Sequence, residues 1–170
     1  MEIRRANLDD IETLVGYWRE VHPKTVFAHL MFDEVKLASV MRGLVLDRSG
    51  ASCFLIAEKK DGTACGILVG QIDAYSFSND PVAKVVFYWV HEAHRKGLAA
   101  VKLMLAFREW AQNRRVREIV IGVTSGQQIG STDRMLKKMG GRLVGGNYSI
   151  VLTGLSGSRV TNVHQKEIVQ

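Results

Sequence analysis

Apolar residues near the start of the chain recur at helical spacing. Ile11, Leu14, Val15, Trp18 and Val21 share one face of a 3.6-residue period. Asn7, with Asp9 and Asp10 behind it, reads as an N-cap with acidic first-turn residues, and Pro23 ends the run. A second helix is predicted from about Asp33, with Val35, Leu37, Val40, Met41 and Leu44 as its apolar positions. The pattern then changes. "ASCFLIAEKKDGTACGILVGQIDAY", residues 51–75, reads as two strands joined by a turn at Asp61–Gly62. "SFSNDP" is a loop, and the β-branched, aromatic run "VAKVVFYWV", residues 82–90, is a strand.

Beyond Gly97 a helix is predicted from about Leu98 to Asn113, with Ala99, Leu103, Ala106, Phe107 and Trp110 on one face. "REIVIGV" reads as a buried strand. "GSTDRMLKKMG" reads as a short helix capped by Ser131 or Thr132 and stopped by Gly140–Gly141. "RLVGGNYSIVL", residues 142–152, is predicted to close the sheet as a hairpin around Gly145–Gly146–Asn147. Residues 153–170 are polar, rich in Gly and Ser, and read as a loose tail. The expected class is α/β, with one domain over 1–152. A helix between "FYWV" and "EIVIGV" implies a right-handed crossover between parallel strands.

Composition narrows this picture without changing it. The 170 residues suffice for one domain with its own core. The N-terminus "MEIRRANLDD" has no continuous apolar stretch, so neither a signal peptide nor a membrane span is expected. Cys53 and Cys65 do not fall opposite each other across the predicted turn. A disulfide is therefore not expected, and a reducing, cytoplasmic setting is. Residues 95–142 carry 11 Lys/Arg against 3 Asp/Glu, while the rest of the chain carries 12 against 14. The whole positive excess of this +6 chain lies in one segment, which suits an anionic ligand there or a solvated helix face. No helix-turn-helix and no interleaved aromatic platform accompanies it, so nucleic acid is not an expected partner.

The candidate chemistry sits in "WVHEAHRKGLAAVKLML", residues 89–105. His91 and His94 are three apart, precede the helix and have no third ligand nearby, so no metal is expected. No Ser or Cys stands beside either histidine as a nucleophile. A phosphate cradle accounts for more of the stretch. A strand ends at Val90, a short basic loop follows, and Gly97 allows close approach just before a helix with Ala99 and Ala100 in its first turn. The first N–H groups of a helix have no internal partner, and the macrodipole favours an anion there. Neither G-x-x-x-x-G-K-[ST] nor G-x-G-x-x-G is present, so a P-loop or a dinucleotide fold is not indicated.

"HRKGLA", His94 to Ala99, resembles the [Q/R]-x-x-G-x-[G/A] signature of the GNAT acyltransferases, matching at Gly97 and Ala99. The element order is similar to that family over about residues 2–152. The resemblance implies an acyl-CoA fold with an N-terminal strand and a central mixed, mostly antiparallel sheet flanked by helices. It implies acetyl-CoA as co-substrate and an amine of a small molecule or a protein as acceptor. Pyrophosphate would lie on the backbone N–H groups of Arg95, Lys96, Gly97, Leu98, Ala99 and Ala100. The pantetheine arm would lie beside Tyr88, Trp89 and Val90, with an N–H near Trp89 or Val90 as oxyanion donor.

This sequence departs from the family at His94, which stands where Gln or Arg is usual. It departs again at Ile129, Thr132 and Leu136, which stand where N-x-x-A-x-x-x-Y would place Asn, Ala and the Tyr acid. Glu92, His94, Tyr148 and Asp73 are the candidates for acid–base work. The same departures fit an alternative: a GNAT-fold binding or structural protein without chemistry, similar to phage-encoded GNAT-like proteins and part of a homodimer or larger assembly.

Overall fold

The first helix begins where its capping residues place it. The Asn7 side chain accepts from the Asp9 N–H at 2.8 Å, and the Asp10 carboxylate accepts from the Asn7 N–H at 2.8 Å. This reciprocal box stabilises a 3-10 turn, Leu8–Asp10, that runs into helix α1, Ile11–Val21. Pro23 lies in a second 3-10 turn, His22–Lys24, where its missing N–H is tolerated. Asp33 caps helix α2, Glu34–Leu46, its carboxylate accepting from the Lys36 N–H at 2.9 Å. Two of the predicted apolar positions of α2 do not face the core. Met41 is buried and Leu37 and Leu44 are half-buried, but Val35 and Val40 are exposed.

The computed structural model describes residues 1–95 and 97–151; Lys96 and residues 152–170, including the predicted tail 153–170, lie outside the described residues. Strands β1 (Glu2–Arg5), β2 (Ser52–Glu58), β3 (Ala64–Asp73), β4 (Val82–Val90) and β5 (Glu118–Ile121) form one mixed sheet in the order β1-β2-β3-β4-β5. The first three pairings are antiparallel and β4–β5 is parallel, as the intervening helix requires. The β2–β3 turn is longer than a two-residue hairpin. It runs from Lys59 to Thr63, closed by the Lys59 N–H to the Thr63 carbonyl, with Gly62 at φ +81°. Cys53 lies opposite Gly70, not Cys65, and both cysteines are free and buried.

Helices cover both faces. On one, α1 and α2 bury Ile11, Leu14 and Met41 against Phe54, Ile56 and Ile67. On the other, α3 (Ala99–Gln112) buries Leu103, Phe107 and Trp110 against Cys53, Leu55 and Leu68. Gly70 in β3 makes this packing possible. A Cβ there would lie 2.2 Å from Phe107 Cε2, so the bare backbone is what lets the ring of a fully buried phenylalanine come up against the strand.

Two expectations at the C-terminal end are corrected. Helix α4 spans Ile129–Lys138, and its N-cap is Gln128 at φ +52°, not Ser131 or Thr132. The Ser131 hydroxyl instead donates back to the Gln128 carbonyl at 3.0 Å, an i−3 bond that keeps it inside the first turn. The closing hairpin is not formed. Residues 142–151 hold no strand, and every one of them is exposed. The chain leaves α4 through Gly140 at φ +90°, with the Gly141 N–H bonded to the Leu136 carbonyl at 2.9 Å.

Candidate functional site

Strand β4 is paired on both sides only along its first half. Phe87 lies opposite Val69 and Val85 opposite Gly70, so Val86 is an extra residue and forms a β-bulge. Pairing with β5 stops at Val85–Ile121, immediately before it. A bulge bends its strand and increases its twist. Beyond Val86 the two parallel strands therefore part, and a cleft of about 790 Å³ opens between them. That volume falls within the roughly 300–1,000 Å³ of small-molecule sites.

One wall of the cleft is Val86–Val90 of β4. The other is Gly122–Thr124, which continue from β5, with Thr132 and Met135 of α4 below. Hydrogen-bond alternation decides which peptide groups of β4 face the opening. The His91 N–H donates to the Cys65 carbonyl at 2.8 Å, which assigns residues 87, 89 and 91 to the β3 ladder. The peptide groups of Tyr88 and Val90 consequently point to the cleft side. Arg95 Nε, 3.2 Å from the Val90 carbonyl, confirms that orientation. Of the two expected oxyanion donors, the Val90 N–H faces the cleft, whereas the Trp89 N–H faces β3. The Trp89 indole packs at 5.4 Å from the Tyr17 ring and 5.6 Å from His91.

The mouth of the cleft is the start of α3. His91 caps a 3-10 turn, Glu92–His94, through its Nδ1, which accepts from the Ala93 N–H at 3.2 Å. Within the expected anion cradle the N–H groups are not equivalent. Those of Arg95 and Gly97 are used internally, by the Glu92 and His94 carbonyls. Lys96 lies outside the described residues. The N–H groups of Leu98, Ala99 and Ala100, and also of Val101, have no partner among the described residues, and Leu98 provides no side-chain cap. They are the orphan donors of a 14-residue helix. Arg95, Gly97, Ala100 and Val101 line the cleft.

The acid–base candidates separate. Glu92 lines the cleft but is exposed, with Lys24 Nζ at 3.6 Å and Arg95 Nη1 at 3.8 Å. His94 is half-buried beside His91, ring centres 5.7 Å apart, and does not line the cleft. Tyr148 is not brought to the site; it is 99% exposed on the segment that fails to close as a hairpin. Asp73 lies opposite Val82, at the other end of β4, held by Lys84.

The family resemblance set the pantetheine arm beside Tyr88 but gave its hydroxyl no role. Burial raises its pKa, and its one hydrogen-bond partner among the described residues is Met135 Sδ at 3.9 Å. Nothing in the spacing of "VVFYWV" signals the Val86 bulge that aims it. Also missed was a strap over the cleft, where the Val26 N–H donates to the Ser125 carbonyl at 3.1 Å and Gln127 Nε2 donates to the Lys24 carbonyl.

The fold is thus a mixed α+β sheet flanked by helices and opened between its fourth and fifth strands. The family model of the acetyltransferase (GNAT) family matches residues 11–140, and the chain belongs to that family. Solved structures share the fold. A variant of the BH1408 protein from Bacillus halodurans superposes with a TM-score of 0.71 at 18% identity, over 89% of this chain and 99% of that one. The aminoglycoside antibiotic 6'-N-acetyltransferase from Acinetobacter haemolyticus gives 0.64 at 18% identity, over 90% and 99%. The ribosomal-protein-alanine N-acetyltransferase from Brucella melitensis biovar Abortus 2308 gives 0.62 at 16%, over 89% and 100%. A search of curated proteins gives no match.

Proposed function

We propose that this protein is a cytoplasmic, acetyl-CoA-dependent N-acetyltransferase that acetylates a primary amine, of a small molecule or of a protein, by direct attack. The observation that carries the reading is the cleft itself, opened by the Val86 bulge and ending at the N–H groups of Leu98 to Val101, which have no partner among the described residues. Those donors and Arg95 suit a pyrophosphate. The peptide groups of Tyr88 and Val90 suit an extended amide-bearing arm, and the Val90 N–H suits the thioester oxygen as charge develops on it.

The acceptor side is the space between the Lys24–Phe27 strap and Glu92. Glu92, directly or through a water, takes the proton the amine loses as its nitrogen bonds to the acetyl carbon. The C–S bond then breaks and CoA leaves as thiolate. With Leu136 in the position of the family's tyrosine acid, Tyr88 is the proton donor to that thiolate, because it lines the cleft and its hydroxyl has only Met135 Sδ as a partner among the described residues. The proton that Glu92 took passes through solvent to the phenolate, which returns both groups to their starting states.

Release of CoA thiol from acetyl-CoA across a panel of primary amines tests the reading. The parent protein is expected to turn over at least one of them. Tyr88→Phe is expected to lower kcat at least about tenfold with KM for acetyl-CoA little changed, the low end of acid catalysis because a thiolate is already a fair leaving group. Binding of acetyl-CoA without turnover of any amine would favour the alternative of a GNAT-fold binding module, for which Leu136 is the supporting residue. An unchanged kcat in Tyr88→Phe would remove Tyr88 from the mechanism.

A further inference from the structure

The cleft is lined from both faces of the sheet, and its two sides differ in chemistry. Side chains alternate along β4, so Tyr88 and Val90 pack with the α3-side core, and Phe87 and Trp89 pack toward α1 and α2. The α3 side carries Arg95 and the α3 N-terminus. The α1 side is walled by rings. Trp18 and Phe87 pack with centres 3.8 Å apart, Trp89 follows along β4, and Phe27 adds a ring from the strap. None of the four is fully buried, and Phe27 is 38% exposed. Aromatic faces left open in a cleft are a surface for an apolar ligand.

Charge on this side is already balanced. Glu92 is the one acidic residue lining the cleft among the described residues, with Lys24 Nζ at 3.6 Å and Arg95 Nη1 at 3.8 Å. The proposed mechanism uses that carboxylate for the reacting amine. A second ammonium on the same acceptor, as in a polyamine or an aminoglycoside, would meet two cations and no second carboxylate in the lining.

The polar groups of the strap are committed as well. The Thr25 hydroxyl donates to the His22 carbonyl at 2.9 Å, and the Gln127 amide donates to the Lys24 carbonyl. A peptide laid along these rings would leave its own N–H and C=O groups short of partners. The Val26 N–H, 3.1 Å from the Ser125 carbonyl, also ties the strap to the loop after β5 and narrows this side. Gly126 allows that closure, since a Cβ there would lie 2.4 Å from Val26 Cγ1.

We infer that the acceptor is a small monoamine with an aromatic body, of the arylalkylamine class. Its ring packs among Trp18, Phe27 and Phe87, and a short alkyl arm carries its nitrogen to Glu92. The inference rests on the proposed acetyl transfer and narrows its acceptor from any primary amine to this class. Phe27 becomes the specificity-determining residue, because its ring comes from the strap and not from the packed sheet.

Release of CoA thiol from acetyl-CoA by the full chain is measured with 2-phenylethylamine, 1,4-diaminobutane and a lysine-bearing hexapeptide. For 2-phenylethylamine kcat/KM is expected to exceed that of either competitor at least about tenfold. Isothermal titration of 2-phenylethylamine with millimolar CoA present reads acceptor binding without turnover. Phe27→Ala is expected to raise that Kd and the KM for the amine about tenfold, with KM for acetyl-CoA unchanged. Phe27→Asp supplies a second carboxylate and is expected to raise kcat/KM for 1,4-diaminobutane about fivefold, a gain that misfolding does not produce. Binding of 2-phenylethylamine without turnover of any amine supports the acceptor site and removes the acetyl-transfer reading. Faster turnover of the diamine or the peptide overturns the acceptor class and leaves acetyl transfer standing. The class is equally overturned if 2-phenylethylamine neither binds nor reacts, or if Phe27→Ala leaves its Kd unchanged.

Discussion

Arg4 joins three parts of the chain through one guanidinium. Its Nη1 and Nη2 bond the two Asp10 oxygens at 2.8 and 2.7 Å, and its Nε and Nη2 bond Glu58 at 3.0 and 2.7 Å. Strand β1, strand β2 and the start of α1 are thereby fixed to one another. The hydrogen bonds from Arg4 hold the Asp10 and Glu58 carboxyls below their usual range. Both acids are depressed in the folded state, so their contribution is fully present above about pH 4, where the unfolded groups titrate. It is lost as pH falls through the folded values. Thermal melts from neutral to acid pH should therefore show Tm falling below about pH 4, and Arg4→Gln should lower Tm at neutral pH and flatten that acid slope. An Arg4→Gln profile parallel to the parent's would remove the cluster from the stability of the fold. At this scale, what was legible in the sequence was local. Asn7 and Asp33 act as caps because a cap bonds within three residues of itself. Arg4, Glu58 and the Tyr88 hydroxyl were not legible, because their partners lie across the sheet or on another helix.

Elements were more legible than the places where they meet. Both N-terminal helices, the three strands from β2 to β4, α3, β5 and α4 follow from period and punctuation, and the parallel β4–β5 pairing follows from the helix between them. Period carries no information about a bulge, however, and the bulge at Val86 is what opens the cleft. Nor does it reveal whether a predicted strand finds a partner, which is why 142–152 read as a hairpin although 142–151 hold no strand and pair with none of the described residues. Packing between elements predicts opposite signs for one substitution at two glycines. Gly70→Ala drives a methyl to 2.2 Å from the buried Phe107 ring and should cost about 3 kcal/mol. That lowers Tm by roughly 10 °C for a chain of this size. Gly43→Ala, in mid-α2 with nothing within 4 Å of the new methyl, should raise Tm by about 2 °C, because alanine loses less backbone entropy on becoming helical. Equal effects at the two sites would mean that α3 does not seat on β3 through Gly70.

For the molecule as a whole, the basic segment 95–142 meets the cleft through one described cation, Arg95. The other cation lining it among the described residues, Lys24, lies outside that segment, and Arg114 and Arg117 of the segment meet the Gly50 carbonyl and Asp80 instead. No helix among the described residues is long and apolar enough to cross a membrane. The α3 N-terminus is where the proposed function seats the pyrophosphate of acetyl-CoA, and Gly97 is the residue that tests it. A Cβ at 97 would sit 3.3 Å from the His94 carbonyl, a contact a small shift relieves, and the residue is exposed. The folding cost of a side chain there should be about 1 kcal/mol, a few degrees in Tm. A glutamate would place bulk and a negative charge where several N–H groups converge on phosphate, and each charge-assisted bond lost is worth about 1.5–3 kcal/mol. Isothermal titration of acetyl-CoA into the parent and Gly97→Glu is the measurement. The parent should bind, and Gly97→Glu should bind at least about a hundredfold more weakly with its melt nearly unchanged. Equal affinity in the two proteins, or no binding by the parent at millimolar acetyl-CoA, would contradict a pyrophosphate seat at the α3 N-terminus.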